Sequence, residues 1–154
     1  MRGQFFHNQI LVKRLAGALE KLGAKVRLEH PTRSGQRPRS VDIFAELDGL
    51  KLVLEVERES RRALNDLSKA EALEADLLVI LVPTRQVARA VLRRLESGVE
   101  LPNFQIVVLP FGAALQALRE NSPLMSLRNV RPTLIQKIPS IPSRHGMEQQ
   151  KGEL

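Results

Sequence analysis

Three observations predict an α/β fold built on a mixed sheet. An Asp-Gly pair at 48–49 sits between two apolar stretches, nearly continuous apolar runs occupy 76–83 and 104–110, and amphipathic segments separate these runs. The first pattern marks an antiparallel hairpin, because both turn residues tolerate positive φ. The second marks strands buried on both faces, and the third supplies helices that carry the chain between parallel strands. The resulting order is α-β-β-β-α-β-α-β-α: an antiparallel meander feeding a βα crossover series, with a mixed central sheet flanked by helices.

Each element has its own signal. Residues 7–22 repeat Ile10, Leu11, Leu15, Ala18, Leu19 and Leu22 at helical spacing, and Gly23 stops the helix. Residues 24–29 alternate Val26 and Leu28 with Lys25, Arg27 and Glu29, a strand with one wet face. A basic loop at 31–39 carries Arg33, Arg37 and Arg39 among Pro, Gly and Ser. In the hairpin, Val41, Ile43, Ala45 and Leu47 share one face of the first strand, and Asp42, Phe44 and Glu46 share the other. The second strand sets Leu52, Leu54 and Val56 against Val53, Glu55 and Glu57. A helix is expected at 61–74, and a third begins at the Thr84 cap and ends at Ser97-Gly98. A last helix at 111–120 follows the strand at 104–110. Residues 1–120 read as a single domain. Residues 121–154, with Pro123, Pro132, Pro139 and Pro142, lose periodicity and read as a flexible tail.

The chain has 154 residues, 43% hydrophobic, enough to bury one core. Its net charge of +7 favours polyanionic partners, nucleic acid before an acidic membrane surface. Cysteine is absent, which excludes disulfides, zinc-thiolate sites and a cysteine nucleophile. No apolar run reaches the roughly 18 to 20 residues that span a bilayer, and the N-terminus lacks the apolar centre of a signal peptide. A cytoplasmic location without membrane contact is expected. With no Trp or Tyr, base stacking on aromatic platforms has little material. Phosphate loops, dinucleotide fingerprints and nucleophile elbows are missing from the sequence.

The candidate site comes from counting register outward from Asp48-Gly49. Leu47 faces Leu50, which places Asp42 opposite Glu55. Like charges directly opposite are destabilising, so a strand pair that keeps two of them within apolar sequence has a cation to hold. Carboxylate oxygens suit Mg²⁺ or Mn²⁺, and the Val56 carbonyl is a further ligand. Period two puts Glu57 on the face of Glu55, about 7 Å along the strand. A metal held there would lower the pKa of a bound water and neutralise phosphate charge, as phosphodiester hydrolysis requires.

With Asp42, the Glu55-Val56-Glu57 triplet and this element order, the chain resembles the PD-(D/E)xK, or restriction-endonuclease-like, nuclease superfamily. Its members share an αβββαβ core with an Asp at the start of the second strand and (D/E)-x-K on the third. The likeness covers residues 7–83, and the C-terminal βα unit would be an extension. It implies a Mg²⁺-dependent DNA endonuclease in which Asp42, Glu55 and the Val56 carbonyl hold the metal, with Glu57 and Lys69 assisting. Two departures stand out: Ser40-Val41 replaces the usual Pro before the acid, and Glu57 replaces the lysine. Some members carry E-x-E there, and others take the lysine from the following helix, where this chain has Lys69 with Asn65 four residues earlier. The resemblance also implies a polar residue facing the site near the start of the first helix, for which His7, Asn8 and Gln9 are candidates. Glu29 and Asn65 are candidates to support the ligands, and Arg33, Arg37 and Arg39 to contact the phosphate backbone.

The competing readings are simpler. Asp42, Glu55 and Glu57 could be charges on the wet face of a sheet, Glu57 as partner of Arg58 or Arg61. Lys69 could be a surface ion-pair partner of Asp66 or Glu71. An inactive nucleic-acid-binding module of the same fold, or a homodimeric interaction domain contacting RNA through its tail, is the functional alternative.

Overall fold

The computed structural model describes residues 2–33, 38–98 and 102–119, with side chains from residue 9 onward except at 98, 115 and 117–119. The tail predicted at 121–154, the 34–37 stretch of the basic loop with Arg37, and the side chains of His7 and Asn8 lie outside the described residues. One five-stranded sheet has the order β1-β2-β3-β4-β5. Its strands are β1 (Lys25–Thr32), β2 (Arg39–Leu47), β3 (Leu50–Val56), β4 (Leu77–Val82) and β5 (Gln105–Pro110). The helices are α1 (Arg2–Lys21), α2 (Ala63–Ala72), α3 (Arg85–Gly98) and α4 (Phe111–Arg119), and a 3₁₀ turn at Ser60–Arg62 precedes α2. The first three strands pair antiparallel and the last three parallel, so β3 is the pivot between the two halves.

The hairpin turn forms because Asp48 and Gly49 take φ +51° and +80°, the left-handed pair that matches strand twist. Leu47 then pairs with Leu50, and the ladder runs back to Ile43 opposite Leu54. The apolar faces of the sheet are covered from both sides. Leu11, Leu15, Ala16 and Leu19 of α1 pack on Ile43, Ala45, Leu52, Leu54, Val79 and Leu109. On the other face, Ala63, Leu67 and Ala70 of α2 and Ala88, Val91 and Leu95 of α3 cover Phe44, Val53, Leu78, Ile80 and Ile106. Strand β4 is buried on both faces, which accounts for its continuous run of Leu, Val and Ile.

Several expectations shift. Ile10 and Leu22 are exposed, because the buried stripe of α1 is centred on Leu11, Leu15 and Leu19. Strand β1 extends to Thr32, since pairing with Arg39 draws Pro31 and Thr32 out of the expected loop. Helix α2 ends at Ala72 rather than at 74. Glu74, at φ +55°, forms a left-handed cap in which Ala75 N–H donates to the Ala70 carbonyl at 3.0 Å. Val41 belongs to the α2/α3 side of the core, not to the face of Ile43 and Ala45. Strand alternation fails at Asp42, where pairing with β1 passes from Leu28–Ile43 to His30–Val41 and skips Glu29 and Asp42. Among the described residues no helix is long and apolar enough to cross a membrane.

Candidate metal centre

The break at Asp42 builds the site. Its N–H donates to Glu55 Oε2 at 3.3 Å, and its own Oδ2 accepts from the Val56 N–H at 2.8 Å. Side-chain bonds thus continue the β2–β3 ladder where backbone pairing stops. The next N–H, that of Glu57 just past β3, donates to the Leu81 carbonyl on the opposite edge at 2.8 Å. In an extended strand the N–H and C=O of one residue point to the same neighbour. The Val56 carbonyl is therefore directed to the Asp42 side.

Glu55 and Glu57 share a strand face and are both buried. After Glu57 the chain turns through the 3₁₀ segment, and α2 brings Asp66 and Lys69 over them. The Lys69 ammonium lies 3.0 Å from Glu55 Oε1 and 3.7 Å from Asp66 Oδ1, with its side chain 16% exposed. Ligand atoms of Glu55, Glu57 and Asp66 lie within 4.8 Å of one another. Asp66 has 0% exposure, and neither of its carboxylate oxygens has a hydrogen-bond partner. The group that faces it is Glu57, itself an acceptor unless protonated.

Crowding and burial set the electrostatics. Desolvation pushes Glu55 up to about 8; the Asp42 charge adds to this and Lys69 opposes it. Desolvation, followed by the Glu55 and Glu57 charges, pushes Asp66 up to about 9. Glu57 is also raised by burial, with Asp66, Lys69 and Arg62 pulling it back. Burial alone would lower Lys69, but Glu55 foremost, then Asp66 and Glu57, raises it. The group is a set of hard oxygen donors with too little positive charge beside it, which fits a divalent cation.

Asp42, Glu55, Glu57 and Lys69 converge here, and the Val56 carbonyl faces the same side. Lys69 is not a surface ion-pair residue, since its partner Glu55 is 2% exposed. Asn65 is a correction: it is exposed, and Asp66 takes the inward position because α2 buries its 63, 66, 67 and 70 face. Glu29, at φ +47°, is exposed across the sheet from Asp42, and no hydrogen bond or ion pair joins it to the cluster. Gln9 is exposed, as is Arg33, while Arg39 is half-buried at the start of β2. Asp66 was legible in principle. It interrupts the apolar Ala63, Leu67 and Ala70 stripe at a position due for burial.

No protein-family model and no curated protein matches the chain. A solved structure titled "Crystal Structure of Protein of Unknown Function AF1548" is similar at 13% identity and a TM-score of 0.46, covering 92% of this chain and 76% of that one.

Proposed function

We propose that this chain is a metal-dependent endonuclease acting on DNA, with β1–β4, α1 and α2 as a restriction-endonuclease-like αβββαβ core. The observation that carries this reading is the meeting of Asp42, Glu55 and Lys69 where β2 parts from β3. Two carboxylates and one ammonium from three elements are held there by hydrogen bonds.

Asp42, Glu55 and the Val56 carbonyl would hold Mg²⁺ or Mn²⁺. A bound ion there supplies charge neutralisation for phosphate and lowers the pKa of water. The remaining roles fall to the chain itself. Lys69 Nζ donates to Glu55 Oε1 and keeps further N–H groups for a phosphate oxygen or the attacking water. Glu57, raised above the ordinary carboxylate range, is suited to accept the proton that water loses as its oxygen bonds to phosphorus. The scissile P–O bond of the phosphodiester then breaks, and the leaving oxygen takes a proton from solvent. Arg33 and Arg39 flank the entry to β2, where they would meet backbone phosphates.

The test is cleavage of supercoiled, single-stranded and branched DNA with MgCl₂ or MnCl₂, by the full chain and by Asp42→Asn and Glu55→Gln. Both variants should be inactive while retaining the wild-type circular dichroism spectrum. Cleavage undiminished in both would refute the assignment. Salt-sensitive binding without cleavage in either metal would instead select the inactive binding module, a reading favoured by Glu57 standing where the family lysine is expected.

A further inference from the structure

The buried contact between the end of β3 and α2 contains more carboxyl groups than the hydrolytic reading uses. Glu55, Glu57 and Asp66 present ligand oxygens within 4.8 Å of one another, and all three residues are buried. Acidic residues gather for many reasons, but Asp66 adds a second observation. Its side chain is fully buried and points into the cluster, where, apart from a proton shared with Glu57, no donor comes within hydrogen-bond distance of its oxygens. Leaving a buried acceptor unsatisfied is destabilising, and more so when it is charged. Asp66 is the one charged residue on the buried Ala63, Leu67 and Ala70 face of α2.

The cation close at hand is Lys69, at 3.0 Å from Glu55 and 3.7 Å from Asp66. One ammonium faces three carboxyl groups. Arg62 adds attraction from an exposed position at the end of the 3₁₀ turn. The donors are oxygen only, without the nitrogen or sulfur that softer metals prefer.

We propose that Glu55, Glu57 and Asp66 form a buried binding site for a small hard divalent cation, Mg²⁺ or Mn²⁺, which shares Glu55 with the Asp42–Glu55–Val56 position at the edge of β2. In the absence of that cation, Lys69 serves as the counter-ion of the cluster. Binding joins α2 to β3 through side chains of both elements. The site goes beyond the nuclease assignment and does not depend on it.

The experiment counts ions. Mn²⁺ is titrated into the full-length chain, and free Mn²⁺ is read by electron paramagnetic resonance alongside thermal unfolding. Wild type should bind one ion more than Asp66→Asn, whose side chain matches the neutral acid in shape, and one more than Glu57→Gln. Both variants should lose part of the Mn²⁺-induced rise in Tm. Asp42→Asn should keep the Asp66-dependent ion. Lys69→Met, which removes the competing ammonium, should bind it several-fold more tightly. Equal stoichiometry and equal thermal shift in wild type, Asp66→Asn and Glu57→Gln would overturn the site. If Asp66→Asn does not fold, Glu57→Gln alone decides. An ion lost with Asp66 in a chain that cleaves no DNA keeps this site and removes the nuclease reading; cleavage with unchanged stoichiometry does the reverse.

Discussion

The Lys69 ammonium of α2 lies 3.0 Å from the Glu55 carboxylate of β3, and both groups are withdrawn from solvent. This pair links the helix layer to the acidic strand end, and it sets the first prediction. If the chain cleaves DNA as proposed, Lys69→Met should lower that cleavage about 100-fold or more, the range associated with a positioned proton-transfer or charge-stabilising group. Lys69→Arg should recover part of the loss. Single-turnover plasmid cleavage measures both, and wild-type rates in Lys69→Met would remove Lys69 from the mechanism.

Asp42 separates structure from chemistry. Its Oδ2 accepts the Val56 N–H at 2.8 Å, a bond that the amide oxygen of Asn can also accept. Asp42→Asn should therefore change stability by less than about 1 kcal/mol. Asp42→Ala leaves that N–H without its partner and should cost about 1–3 kcal/mol. Urea unfolding of the two variants provides the comparison. Equal losses would mean that the bond contributes nothing to the strand junction.

The acids also make stability depend on pH. Glu55 is raised from 4.5 to about 8 and Asp66 from 3.8 to about 9, so the folded chain holds protons that the unfolded chain has released. The stability from this source is complete below the unfolded values and is lost as pH rises through the folded ones. The raised Lys69 acts above its ordinary 10.5, outside this window. Without divalent cations, Tm should fall between pH 5 and 9. Ligands must be deprotonated to bind metal, so Mg²⁺ should restore more stability at pH 8.5 than at pH 5.5. Differential scanning calorimetry at matched ionic strength decides it; a Tm rising across that range would contradict the buried acids.

Glu74 offers a control remote from the chemistry. It caps α2 at φ +55°, where a side chain is disfavoured, and its ion pair with Lys51 is exposed. Glu74→Gly should stabilise the fold by about 0.5–1 kcal/mol, the left-handed penalty less the extra chain entropy of glycine. A loss of stability in denaturant unfolding would show that the Lys51 pair outweighs the strain.

Much of this arrangement was legible in residue order. Asp48-Gly49 fixes the hairpin, and counting from it puts Asp42 beside Glu55, because a two-residue turn leaves one register. The continuous apolar run ending at Val82 marks β4 as buried on both faces, and Thr84 caps α3 by accepting the Val87 N–H at 3.2 Å. These are local rules of turn, period and cap. The misplaced features depend on neighbours: Thr32 is drawn into β1 by Arg39 across the strand pair, and Val41 changes face where both ladders miss Asp42.

The sequence by itself determined the α/β element order, the hairpin register and the closeness of Asp42 to Glu55, since each follows from interactions within a short span of chain. Only the tertiary structure decided which face of α2 meets β3. Asp66 lies inside and Asn65 outside because that helix buries the side carrying Ala63, Leu67 and Ala70. Rotation about a helix axis is set by the surface it packs on, so the gathering of Glu55, Glu57, Asp66 and Lys69 exists only once sheet and helix have met.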